Sequence, residues 1–130
     1  TYQVSKHAIV ALSEQLNYDL REEDAKIGVS VLCPAGVQTR IVESKRNRPE
    51  SLANYTDPPK PRPENESIRN LYKAIAKGML PDDVAEKVFE AIQDNRFYIL
   101  THPEYKTMIR TRMDDILLER NPTNPTLFAV

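Results

Sequence analysis

A tyrosine and a lysine open the chain at a spacing that chemistry can use: Tyr2, Gln3, Val4, Ser5, Lys6. In a helix the two side chains stand at i and i+4, one turn apart on one face and within reach of a common small molecule. A phenol is a poor acid near neutral pH, with a reference pKa of about 10, and a neighbouring ammonium favours the phenolate and lowers that value. A tyrosine tuned in this way hands a proton to a substrate oxygen and takes it back. The same pair also fits a plain solvated helix face, so the residues that follow have to decide.

Those residues supply a frame. Ile9, Leu12, Leu16 and Leu20 recur at steps of three and four, with Val4, Ala8, Ala11 and Ala25 widening the stripe, which predicts a helix over residues 2–24 and a turn at Gly28. Residues 27–33 carry Ile27, Val29, Val31 and Leu32 in a near-continuous apolar run ending at Cys33. Such a run reads as a strand buried on both faces, as in a parallel sheet covered by helices. Directly after it come Pro34, Ala35, Gly36, Val37, Gln38 and Thr39. A bend at the carboxyl end of a parallel strand is where open α/β sheets bind their ligands.

Tyr-xxx-Lys on a helix, then a buried strand, then a Pro/Gly turn ending in threonine, resembles the classical short-chain dehydrogenase/reductase family. The resemblance runs in order from Tyr2 to about Arg120, with its specific motifs in the first forty residues. It implies an NAD- or NADP-dependent oxidoreductase interconverting an alcohol and a carbonyl. Tyr2 matches the general acid/base, and Lys6 the lysine that lowers its pKa and hydrogen-bonds the nicotinamide ribose. Pro34, Ala35, Gly36, Val37 and Thr39 fall on the cofactor-binding turn, Val37 through its backbone and Thr39 through its side chain. Ala35 stands where the family usually has glycine. The helix over 2–24 also packs against a second subunit in the family, which implies a homodimer or homotetramer.

Further along, residues 40–66 hold no period and are rich in charge and proline, including Pro58, Pro59, Pro61 and Pro63. A connection this long is commonly a lid. Ile68, Leu71, Tyr72 and Ile75 restore a helical stripe, with Asn65 or Ser67 as cap and Gly78 after it. Pro81, Asp82 and Asp83 open another helix, its buried side drawn from Val84, Ala85, Val88, Phe89, Ala91 and Ile92 and its end at Asp94 and Asn95. Residues 97–101 read as a second buried strand, residues 105–120 as a last helix, and residues 121–130 as a tail. The expected division is therefore 1–39 for the catalytic helix, strand and turn, 40–80 for the substrate-binding lid, 81–120 for helix, strand and helix, and then the tail.

Two strands cannot bury this much helical surface. The expected fold is accordingly α/β: the C-terminal part of a Rossmann-like doubly wound parallel sheet, contributing its last two strands with flanking helices. Only Gly28, Gly36 and Gly78 are present, far apart, so no dinucleotide fingerprint lies in these residues. By themselves they are expected neither to hold a cofactor nor to turn over substrate.

Composition sets bounds on partners. With 18 basic against 19 acidic residues in 130, and a net charge of −1, nothing attracts nucleic acid overall, and no apolar run is long enough to span a bilayer. The one cysteine cannot form an internal disulfide, which accords with a reducing, cytoplasmic compartment. No metal-ligand cluster stands out. The two helices meeting near Gly78 resemble a helix-turn-helix, but Asp82, Asp83, Glu86 and Glu90 on the would-be reading helix repel phosphate. A catalytically silent interaction module of the same fold is the other alternative.

Remaining candidates read more simply as structure. His7 faces about 100° away from Lys6 on a helix, and His102 ends a strand at the surface or an interface. Cys33 is a small hydrophobe, Lys45, Arg46 and Arg48 a solvated basic loop, and Met108 and Met113 core packing.

Overall fold

Among the described residues six regular elements follow one another in the order expected: helix, strand, two helices, strand and helix. The computed structural model describes residues 2–52 and 66–124, so Pro58, Pro59, Pro61, Pro63, Asn65 and the end of the tail lie outside the described residues. Helix α1 (Tyr2–Glu22) is set by the apolar period, yet none of its residues is fully buried, with Leu12 at 70% and Leu16 at 47% exposure. The stripe exists, and among the described residues it is largely uncovered.

Left-handed residues end three of the helices. Asp24 after α1 has φ 50, Asn95 after α3 (Pro81–Gln93) has φ 50, and Glu119 after α4 (Lys106–Leu117) has φ 51. At each, the paired amides of a Schellman cap fold back, as in Asp24 to Arg21 (3.1 Å) and Ala25 to Leu20 (2.9 Å). No glycine has a positive φ, so Gly28 is not the turning residue that its type suggested. Pro81 and the two aspartates do open α3 as expected. Helix α2 (Glu66–Ala76) takes in Ser67, which is therefore not its cap.

Strands β1 (Val31–Cys33) and β2 (Tyr98–Leu100) pair in parallel, Val31 with Tyr98, Leu32 with Ile99 and Cys33 with Leu100. The Val31 amide extends the ladder to the Phe97 carbonyl (2.7 Å), and the Ser30 hydroxyl donates to the Arg96 carbonyl (2.8 Å). Both strands are shorter than their apolar runs, and neither is buried on both faces. Val31 and Ile99 are buried, whereas Leu32 is 40% and Tyr98 49% exposed. The sheet has two strands among the described residues, and a sheet this narrow leaves part of each face open.

Helix α3 packs on β2 with Val84 and the fully enclosed Ala91, while Phe89 and Ile92 of the expected buried side are exposed. The last helix begins after a 3₁₀ turn, Pro103–Tyr105, and departs further from expectation. Met113 and Ile116 are exposed, and the residue it buries is Asp115, whose carboxylate accepts the Thr123 amide (2.8 Å) and pairs with the Arg120 guanidinium (3.1 Å). These bonds hold the Asp115 carboxyl below its ordinary range, the Thr123 amide contributing most. Between β1 and α2, two 3₁₀ segments, Ile41–Asn47 and Glu50–Leu52, fill a stretch without sequence period.

Candidate functional site

Tyr2 and Lys6 lie in the first turns of α1, and the helix brings them together. The Lys6 ammonium stands 5.4 Å from the centroid of the Tyr2 ring, over its face, within the range of a cation–π contact. Both side chains are exposed, and Lys6 has no ion pair or hydrogen-bond partner among the described residues. His7 turns away as expected and bonds the Gln3 carbonyl through Nδ1 (2.9 Å).

The bend after β1 is held from two sides. Pro34 brings no N–H and so stops the ladder; the next amide, Ala35, donates to the Thr101 hydroxyl (3.4 Å). On the other side the Met79 amide donates to the Gly36 carbonyl (3.0 Å), and the Gln38 amide to the Met79 carbonyl (3.0 Å). Val37 and Met79 thereby form a parallel bridge, tightened by the Gln38 side-chain amide on the Gly78 carbonyl (2.8 Å). In such a bridge the flanking residues make the bonds, and the central residue's own N–H and C=O face the opposite way. Those of Val37 have no partner among the described residues.

Glycine is needed here for closeness. A Cβ on Gly36 would lie 2.6 Å from the Ala74 carbonyl oxygen, and one on Gly78 would fall on the Gly36 carbonyl group and 2.7 Å from the Val37 nitrogen. Ala35, by contrast, is exposed, and its methyl group has room. The family's usual glycine position tolerates alanine in this backbone, while the next position tolerates nothing larger than glycine.

Two cavities adjoin the bend. One, of about 260 Å³, lies between Cys33, Pro34 and Ala35 on one side and Leu100, His102 and Tyr105 on the other. A more open one, of about 490 Å³, lies between Gln38, Thr39 and Arg40 and the α2 residues Tyr72, Ile75 and Ala76. The Thr39 hydroxyl is exposed and has no partner among the described residues. Tyr2 and Lys6 line neither cavity, and no hydrogen bond joins them to the bend.

Sequence reasoning passed over two groups, Thr101 and Tyr98. Thr101 is fully enclosed and bonded to both Ala35 and His102. His102, read as a surface or interface residue, is half-buried. Tyr98 donates its hydroxyl to Glu14 (2.5 Å), the polar tie between α1 and β2, and this bond to a carboxylate pushes the phenol up to about 12. The Thr101–Ala35 and Tyr98–Glu14 bonds join residues 66 and 84 positions apart, which period and composition do not reveal. Cys33 is half-buried, and burial pushes its thiol up.

No family model matches the chain. Over 126 residues the chain is 37% identical to a CLA biosynthesis dehydrogenase/reductase of Lactiplantibacillus plantarum, covering 94% of this chain and 43% of that protein. It is 32% identical over 118 residues to a C alpha-dehydrogenase of a Sphingobium species, covering 89% and 36%. The crystal structure of a short-chain dehydrogenase/reductase from Burkholderia phymatum, in complex with NAD, superimposes with a TM-score of 0.82 at 45% identity, covering 95% of this chain and 44% of that one. The chain belongs to the short-chain dehydrogenase/reductase family.

Short-chain dehydrogenase membership accounts for the architecture. The two parallel strands and their helices are part of a Rossmann-like α/β sheet. The chain spans less than half the length of the relatives it matches. Among the described residues no group of histidine, cysteine or acidic side chains is arranged to hold a metal ion, and no helix is long and apolar enough to cross a membrane.

Proposed function

We propose that the protein to which these residues belong is an NAD- or NADP-dependent oxidoreductase interconverting an alcohol and a carbonyl, with Tyr2 as its general acid/base. The observation that carries this reading is the stacked pair at the start of α1, the Lys6 ammonium 5.4 Å from the Tyr2 ring centre. In the direction of reduction Tyr2 gives its phenolic proton to the substrate oxygen, and in the direction of oxidation it takes that proton back. Lys6 holds its ammonium over the ring from which that proton leaves.

The residues present fit a nicotinamide cofactor. Lys6 brings donors suited to ribose hydroxyls, and the Thr39 hydroxyl and the N–H and C=O of Val37, without partners among the described residues, suit a carboxamide, which both donates and accepts. When bound, the nicotinamide supplies or takes up the hydride. Pro34, Ala35 and Gly36 shape the bend that would lie against it. The cavity between Thr39, Arg40 and α2 supports reading residues 40–80 as the substrate-binding side. The exposed apolar residues of α1, among them Ile9 and Leu12, support a homodimer or homotetramer through that helix, and the free Cys33 supports a cytoplasmic location.

Replacing Tyr2 with phenylalanine in the complete protein tests the assignment. Hydride transfer is expected to fall by at least about a hundredfold, the weight of one general acid/base, with NADH or NADPH binding retained. Turnover at the wild-type rate overturns it.

A further inference from the structure

Thr101 follows directly on the last residue of β2, two positions after the buried Ile99. It is 1% exposed, and an enclosed hydroxyl that made no bonds would be costly. Its bonds lead in two directions, to the Ala35 amide (3.4 Å) and to the His102 Nδ1 (2.7 Å). Continued one step past Cys33 and Leu100, the strand register sets Pro34 against Thr101. Proline has no amide to give, so backbone pairing stops there. The side chain of Thr101 takes over where the ladder ends and catches the first amide beyond it.

A hydroxyl has one hydrogen and two lone pairs. Here the Ala35 amide uses one lone pair, and the hydroxyl meets His102 Nδ1 through its hydrogen or its second lone pair, as the imidazole tautomer sets. Cys33, Tyr105 and Lys106 line the cavity around the imidazole. The relay runs from His102 through Thr101 to the backbone between Pro34 and Gly36.

We propose that Thr101 is a positioning residue for the cofactor: by fixing the Ala35 amide it sets how the bend presents Val37 and Thr39 to the nicotinamide. The proposal rests on the function argued above. Valine at this position would keep the shape and branching and leave the Ala35 amide without its acceptor. Serine would keep the acceptor and lose one methyl group.

The test uses the complete protein and titrations with NADH, NADPH and ADP-ribose, the last of which lacks the nicotinamide. Thr101→Val is expected to weaken binding of the preferred reduced cofactor about tenfold, the weight of one hydrogen bond, and to leave ADP-ribose binding unchanged. Thr101→Ser is expected to bind both within about twofold of wild type, the scale on which one retained bond is conserved. Equal loss for NADH and ADP-ribose, or no loss in Thr101→Val, overturns the proposal. Should Thr101→Val fail to fold, Thr101→Ala decides by the same titrations, with loss for the reduced cofactor alone expected and equal loss for ADP-ribose overturning the proposal. A wild-type protein that binds neither reduced cofactor refutes the oxidoreductase reading itself, a result separate from any difference among the variants.

Discussion

Gly36 and Gly78 touch backbone to backbone, so closely that a methyl group on Gly78 would occupy the space of the Gly36 carbonyl. The bend after β1 and the end of α2 are thus one unit, locked by the Val37 bridge to Met79. Gly78→Ala is expected to destabilise the complete protein by about 1–3 kcal/mol, the usual cost of forcing a methyl into filled space. Thermal denaturation measures it. An unchanged melting temperature would mean that the two backbones are not in contact.

The hydrogen bond from Tyr98 to Glu14 gives α1 a signature at high pH. Its phenol is raised from an ordinary 10.0 to about 12, so the contact contributes fully below pH 10 and is lost as pH rises through 12. Between those values the wild type is expected to lose more stability than Tyr98→Phe. Melting curves from pH 9 to 12 that run parallel for the two proteins would count against the bond.

At the acid end Asp115 has the opposite sign. Its carboxyl is depressed below an ordinary 3.8 by the Thr123 amide and then by Arg120, so its contribution is present above that value and lost as pH falls through the lower folded one. Asp115→Asn is expected to flatten the acid limb of the stability curve and to free the Thr123 amide for hydrogen exchange. Equal acid sensitivity in the two proteins would show that the carboxylate does not hold the segment after α4.

Three helix ends use left-handed residues that are not glycine. Asparagine and aspartate tolerate that conformation better than glutamate does. Glu119→Gly is therefore expected to stabilise the protein by about 0.5 kcal/mol, the relief of strain exceeding the extra entropy of an unfolded glycine, and Asn95→Gly to give no gain. The reverse ranking in chemical denaturation would contradict the cap assignment.

The elements along the chain were largely legible because each carries its own period. Leu12 and Leu16 announce α1, Pro81 and Asp82 open α3, and the apolar runs mark β1 and β2. The pairing of Tyr2 with Lys6 was legible for the same reason, since four residues on a helix make one turn. Burial was not. Leu12, Phe89 and Met113 are apolar and exposed, because period specifies which way a side chain faces and not what it meets. The glycines misled in a related way. Gly36 and Gly78 suggest freedom of the backbone, but their role is the approach of two segments whose proximity exists only after folding. Thr101, one polar residue at the end of an apolar run, gave no sign that it would catch an amide 66 residues away.

That separation sets a timetable for synthesis. The pairing of β1 with β2 forms only when a loop of this length closes, and closure by non-local pairing is slow compared with helix formation. At translation speeds of about 5–20 residues per second, the nascent β1 waits roughly 3–13 s for its partner to leave the ribosome. During that interval the edge of β1 that β2 later covers is open to other chains.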